Sequence, residues 1–186
     1  MSTPLGLKVG NALEVEESVD VLAGGGPSDV IEITVALATE MLNLAGVKDV
    51  DVAAALKDGR AMDKWRAMIS AQGGDPDGKL PVAKEAQTVV AESDGVISEL
   101  DALAVGLASW RLGAGRARKE DPVQFGAGVT LHAQLGDTVK KGAPLYTLHT
   151  DEPTRFARAA ETIAKAYKIE AQAQVTRKLI LDRISN

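Results

Sequence analysis

The residues of this sequence that could do chemistry are few and scattered. The stretch "GAGRARK" (Gly113 to Lys119) sets glycines beside bases, as a loop that cradles phosphate through backbone N–H groups would. It lacks the Gly-Lys-Ser/Thr ending of a P-loop, and its glycines follow a predicted helix, so it reads as a helix stop. "AGGGP" (Ala23 to Pro27) reads as a loop for the same reason. His132 and His149 each fall in an alternating segment without a carboxylate or second histidine at metal-ligand spacing, which predicts strand-face histidines. No serine sits in a Gly-x-Ser-x-Gly elbow, and the 26 acidic residues read as solvated helix faces. No catalytic constellation emerges from residue types and spacing.

The elements that must carry these residues fall into two patterns. Up to about Gly74 the spacing is helical. Asn11 is a candidate N-cap, with Glu14 placed to reach back to the cap. Glu16 and Glu17 add charge at the helix start, and Val15, Val19 and Leu22 predict an apolar face ending at Gly24–Gly26. Ser28 is the expected cap of "DVIEITVALATEMLNLAG". That stretch is apolar on most sides (Ile31, Val35, Leu37, Met41, Leu42, Leu44), which predicts a buried helix. Two shorter helices follow, "DVAAALKDG" and "RAMDKWRAMISAQ", with Trp65 and Met68 expected in the core.

"GGDPDGKLP" is turn-rich and marks the expected domain boundary. Beyond it, "AQTVVAESDGVISEL" reads as two short strands about the Ser93–Gly95 turn, and "ALAVGLASWRLGAG" as a helix. "GVTLHAQLGDTVKKGAPLYTLHT" alternates, with turns at Gly136–Asp137 and Lys141–Gly142. "DEPTRFARAAETIAKAYKI" predicts an amphipathic helix with Pro153 in its first turn and Phe156, Ala160, Ile163 and Tyr167 on its apolar face. "QVTRKLILDRIS" predicts a closing strand.

Composition narrows the function classes. With no cysteine, disulfide frameworks and thiolate metal sites are excluded. A net charge of −5 offers no basic stripe for nucleic acid. No apolar run approaches the ~20 residues of a membrane span. A cytoplasmic protein with neither a membrane nor a nucleic-acid partner is expected.

"GDTVKKGAPLYTLHT" resembles the hammerhead of biotinyl- and lipoyl-carrier domains, yet the strand runs into "TDEPTRF" where a carrier displays its modifiable lysine. Six stretches carry a wider resemblance: "MSTPLGLKVGNALEVEES", "GGGPSDV", "MISAQGGDP", "ESDGVISELDALAVG", "RLGAGRARKEDPVQFGAGV" and "LGDTVKKGAPLYTLHT". In order and spacing the chain resembles the C-terminal part of thymidine and pyrimidine-nucleoside phosphorylases. The resemblance implies phosphorolysis of a pyrimidine nucleoside by phosphate to a free base and a sugar 1-phosphate. It also implies a small helical domain, a large α/β domain, an active site in the cleft between them, and a homodimer formed through the helical domain.

The expected fold class is therefore α+β. Residues 1–74 form a mostly helical remnant of the phosphorylase α/β domain, and residues 75–186 an α+β domain with a barrel-sandwich, hammerhead-like β element. The family's Lys-His-Ser and Thr-Gly-Gly phosphate motifs and its Arg, Ser and Lys set for the pyrimidine have no counterpart in this sequence. The chain alone is expected to be inactive and to need the missing N-terminal portion, or else to associate with itself. The alternative is a non-catalytic binding or regulatory module built on the hammerhead. The resemblance implies one site, for a monovalent cation, potassium. Matching by position assigns it the main-chain carbonyls of Leu5 and Lys8 and the side chain of Glu17, with its remaining ligands upstream. No organic cofactor is expected.

Overall fold

The computed structural model of the chain describes residues 2–175 and 178–184. Helices and antiparallel sheets coexist, and the fold class is α+β. The chain divides into two compact units: Met1–Val15 with Leu80–Thr176, and Glu16–Lys79 with Arg177–Asn186. One helix, α1 (Asn11–Leu22), runs through the first division.

The first unit is built on two sheets. One has the order β1 (Lys8–Gly10), β4 (Gly128–Leu131), β6 (Pro144–Thr150), β2 (Glu85–Val90), each pair antiparallel. The other has the order β5 (Thr138–Val139), β3 (Gly95–Leu100), β7 (Tyr167–Glu170). The two strands flanking Ser93–Gly95 form as predicted, but β2 and β3 enter different sheets and make no hairpin. Alternation along β6 sends Tyr146, Leu148 and Thr150 to one face, where Leu148 and Thr150 are fully buried.

Helix α5 (Ala102–Ser109) starts at Asp101, whose Oδ1 accepts from Leu103 N at 2.7 Å. Its Val105 and Ala108 join Leu112, Val129, Leu131, Leu148 and Ile163 in one apolar core. Ser109 Oγ donates to Val9 O at 3.0 Å and ties the helix to β1. A wide turn at Trp110–Ala114 follows, so the glycines of "GAGRARK" do stop a helix. Pro153 opens a 3₁₀ turn (Pro153–Arg155) that leads into α6 (Phe156–Ile163). Tyr167 lies beyond that helix, on β7, because the chain leaves helical geometry after Ile163.

The second unit is helical: most of α1, then α2 (Ser28–Leu44), α3 (Val52–Lys57) and α4 (Arg60–Ala71). Several expectations fail here for identifiable reasons. Asn11 does not cap α1: its Nδ2 donates to Ala114 O at 2.6 Å, and Glu14 Oε1 accepts from Gly10 N instead. Ser28 is already helical, and Pro27 precedes it without a side-chain cap. Helix α2 is not buried, since Leu37, Met41 (70% exposed) and Leu44 (87% exposed) stand in solvent. Helix α4 buries no residue fully, Met68 is exposed and Trp65 only partly covered. A helix of period 3.6 records how many of its sides are apolar, but not which neighbours the chain provides to cover them.

The predicted closing strand is absent among the described residues of Gln174–Ile184; its Thr176, Arg177 and Ser185 lie outside them. Among the described residues, no helix is long and apolar enough to cross a membrane.

Candidate functional site

The two histidines share one face of the four-stranded sheet. In register across it stand Lys8, Thr130, Thr147 and Thr88, one from each strand. His132 Nε2 lies 2.7 Å from Thr147 Oγ1, and His149 Nε2 lies 3.0 Å from Thr130 Oγ1. Thr147 Oγ1 also meets Thr88 Oγ1 at 2.8 Å. Each imidazole therefore has a hydroxyl partner, and among the described residues His132 has no carboxylate bonded to it to orient the ring as a general base. Among the described residues, no three His, Asp or Glu side chains gather as a metal cluster.

Leu5, Lys8 and Glu17 are placed as follows. Leu5 lies in the bend before β1, and Lys8 opens that strand, both in the first unit. β1 is an edge strand, and Leu131 N donates to Leu7 O at 2.7 Å. Antiparallel alternation then turns the main-chain groups of Lys8 away from β4, toward the open edge. Glu17 belongs to the second unit, in the second turn of α1. The first-turn acid is Glu14, so Glu17 is not a helix-start carboxylate; it is buried, with 7% exposure.

A further cluster gathers one base of "GAGRARK" with arginines from elsewhere in the chain. Beside the "GAGRARK" loop lies a cavity of about 510 Å³ walled by Arg111, Arg116, Arg155, Arg158, Asp121 and Trp110. Arg111 and Arg158 also wall an adjoining cavity of about 430 Å³ that reaches Glu161 and Lys165. Arg111 Nη1 donates to Thr162 Oγ1 and, at 3.3 Å, to Arg158 O, while its Nε is buried with no hydrogen-bond partner. Glu152 holds Arg155, with Oε1 accepting from Nη2 at 3.1 Å. Gln124 Nε2 in turn donates to Glu152 Oε1 at 2.7 Å, and Gln124 Oε1 accepts from Asp151 N at 2.7 Å. The sequence carries two traces of this cluster: Arg116 among the bases of "GAGRARK", and Arg155 with Arg158 at i, i+3 about the start of α6; some forty residues separate the two segments, and Arg111 lies just ahead of the first.

Residues 96–170 match the family model described as "Pyrimidine nucleoside phosphorylase C-terminal domain". The chain is 50% identical over 184 residues to a thymidine phosphorylase of Mycobacterium tuberculosis (strain H37Rv), covering 99% of this chain and 43% of that protein. It is 40% identical over 188 residues to a pyrimidine-nucleoside phosphorylase of Bacillus subtilis (strain 168), covering 94% and 42%. It is 38% identical over 196 residues to one of Geobacillus stearothermophilus, covering 100% and 45%. The chain thus spans less than half the length of the curated relatives it matches. Over nearly all of its own length, it matches the C-terminal part of the thymidine and pyrimidine-nucleoside phosphorylase family.

Proposed function

We propose that this chain acts as the C-terminal portion of a thymidine or pyrimidine-nucleoside phosphorylase, and that it is inactive until an N-terminal portion completes it. The observation that carries this reading is 50% identity sustained over 99% of the chain against only 43% of the relative. Phosphorolysis requires two substrates held in line and charge stabilised on phosphate as the glycosidic bond breaks. The sequence motifs that serve phosphate and pyrimidine in the family are not among these residues. In this reading residues 1–74 are a helical remnant of the α/β domain, and residues 75–186 the C-terminal α+β domain. The spatial units cut the chain differently, at Val15/Glu16, Lys79/Leu80 and Thr176/Arg177.

The exposed strip Leu37, Met41, Leu44 on α2 supports a covering partner, because its i, i+4, i+7 spacing makes one continuous apolar face. The N-terminal portion is the proposed occupant, and a second copy of this chain the competitor. Leu5 and Lys8 carbonyls with Glu17 are proposed as part of a potassium site, the rest coming from that portion. The ion would fix the geometry of the strand β1 edge.

The test is thymine release from thymidine and phosphate in the cytoplasm-like presence of potassium. The chain alone should release none, and mixing with the N-terminal portion of the Mycobacterium tuberculosis relative should restore release. Turnover by the chain alone overturns its dependence on a second portion; a properly folded mixture that stays inactive overturns the phosphorylase role.

A second reading is a non-catalytic binding or regulatory module with a hammerhead-like β element. It draws on the turn at Lys141–Gly142, which docks on the loop before β3: Gly142 N donates to Ala91 O at 2.8 Å and Lys141 N to Asp94 Oδ1 at 2.7 Å. An intact mass carrying a biotinyl or lipoyl group would favour that reading.

A further inference from the structure

We infer that the cavity between the "GAGRARK" loop and α6 is a binding site for a phosphate monoester bearing a flat ring, a nucleoside monophosphate in chemical class. All of its walls belong to one compact unit. In a chain of net charge −5, four guanidiniums converge on one cavity. Arg155 is neutralised by Glu152. That leaves Arg111, Arg116 and Arg158 against Asp121, whose Oδ2 already accepts from Arg118 N at 2.9 Å. The excess of two positive charges matches a phosphate dianion.

The donors are also free to serve it. Arg158's guanidinium has no hydrogen bond or ion pair among the described residues, and Arg116 spends one Nη1 bond on Lys119 O at 3.2 Å. A carboxylate is satisfied by a single guanidinium fork, whereas a phosphate offers three terminal oxygens and can engage several. Arg111 is held in place by Thr162, and its buried Nε lacks a partner. A buried N–H left without a partner carries a cost that an acceptor brought to it offsets. The floor is rigid, since the chain of bonds from Asp151 through Gln124 and Glu152 fixes Arg155 before any ligand arrives.

Trp110 supplies the ring partner. It lines the cavity and is 39% exposed, so part of the indole is open to a ligand there. Its ring packs directly on Gly115, where a β-carbon would come within 2.8 Å of Cδ1. The indole is thereby fixed at the edge of the arginine cluster, a placement that suits a base stacking beside its own phosphate.

The pocket's chemistry stands whether or not the chain takes part in phosphorolysis, and a binding assay separates the two. Isothermal titration of the whole chain with uridine monophosphate and adenosine monophosphate should give dissociation constants at or below about 1 mM. Uridine without phosphate should not bind, and inorganic phosphate should bind more weakly than either nucleotide. Arg158→Ala and Arg116→Ala change exposed side chains; each should weaken nucleotide binding about tenfold with an unchanged melting midpoint. Arg158→Lys should recover part of the loss. Trp110→Leu should weaken the nucleotides and leave inorganic phosphate unchanged. Binding should tighten as pH rises through about 6, where the monoester gains its second charge. Absence of nucleotide binding by the folded chain, equal binding of uridine, or indifference to Arg158→Ala would each overturn the site. Inorganic phosphate binding as tightly as the nucleotides would overturn the ring assignment.

Discussion

Gly10 and Gly128 face one another across β1 and β4 with no room for a side chain on either. A β-carbon on Gly10 would lie 2.5 Å from Ala127 O, and one on Gly128 would fall against Val9 O. Both residues also hold positive φ, +149° and +154°, where L side chains are strained. Gly128→Ala should therefore cost about 2 kcal/mol or more and loosen β1 from the sheet. Urea unfolding measures the first, and faster amide exchange at Val9 the second. A variant as stable as the parent would show that the strands separate without cost.

Thr150 is fully buried with Oγ1 2.7 Å from Leu112 O and 3.1 Å from Gln124 Oε1. Thr150→Val preserves volume but leaves Leu112 O short of a donor and Glu152 N, which donates to Thr150 Oγ1 at 3.2 Å, short of an acceptor. It should lower stability by about 1–3 kcal/mol, with Thr150→Ser recovering much of the loss. Equal loss in both variants would assign the effect to packing and not to the hydroxyl.

The alkaline limit of the fold should depend on Tyr167. Burial raises its phenol above the ordinary tyrosine range, with Tyr146 and the Asp137 charge adding to the effect. The ring stacks on Tyr146 at 5.4 Å between centroids, and its hydroxyl lies 3.3 Å from Ala133 O. Unfolded, a tyrosine ionises near ~10, so the stability tied to this group is complete below that pH and lost as pH rises above it. Tyr167→Phe should flatten the fall of the melting midpoint in strong alkali. Burial raises the phenol of Tyr146 as well, so a reduced slope should remain.

Lys168 bridges Glu170 at 2.9 Å and Glu99 at 3.2 Å on the surface of β3 and β7. Hydrogen bonding to Glu170 and then Glu99 raises the ammonium, and its bond to Lys168 lowers Glu170. A carboxyl depressed in the folded state stabilises above its unfolded value, near ~4.3, and that stabilisation fades as pH falls. Parent and Lys168→Met should differ at neutral pH and converge in acid or high salt, as exposed pairs are screened. A difference that persists in acid would have to come from the packing of the lysine stem.

If the α2 strip is an adhesive face, charge on it should disperse the chain. Met41→Lys with Leu44→Lys should abolish concentration-dependent association in sedimentation while leaving the far-ultraviolet dichroism unchanged, because both side chains are exposed. The same variant should also fail to recruit the N-terminal portion. Continued association would place the contact elsewhere.

Much of this protein was fixed by local sequence. A glycine cluster ended α1 and Gly46 ended α2, Asp101 started α5, Pro153 opened the turn before α6, and alternation with turn glycines on either side gave β4 and β6. These signals act over a few residues, where backbone sterics and capping decide the outcome. The family relationship was legible for a similar reason: six ordered stretches carry it without reference to any contact. What local signals could not hold is partnership between distant segments. Asn11 has the makings of a cap, yet it spends its side chain on Ala114, 103 residues on. The apolar sides of α2 are a property of its sequence, but burial needs a neighbour, and the described residues supply none along Leu37, Met41 and Leu44. The arginine pocket is the clearest case: Arg111 and Arg116 meet Arg155 and Arg158 only because α5 and α6 pack on one core. Charges placed far apart in the chain converge when burial of Leu112 and Ile163 brings their backbones together, and the tertiary fold alone decides that.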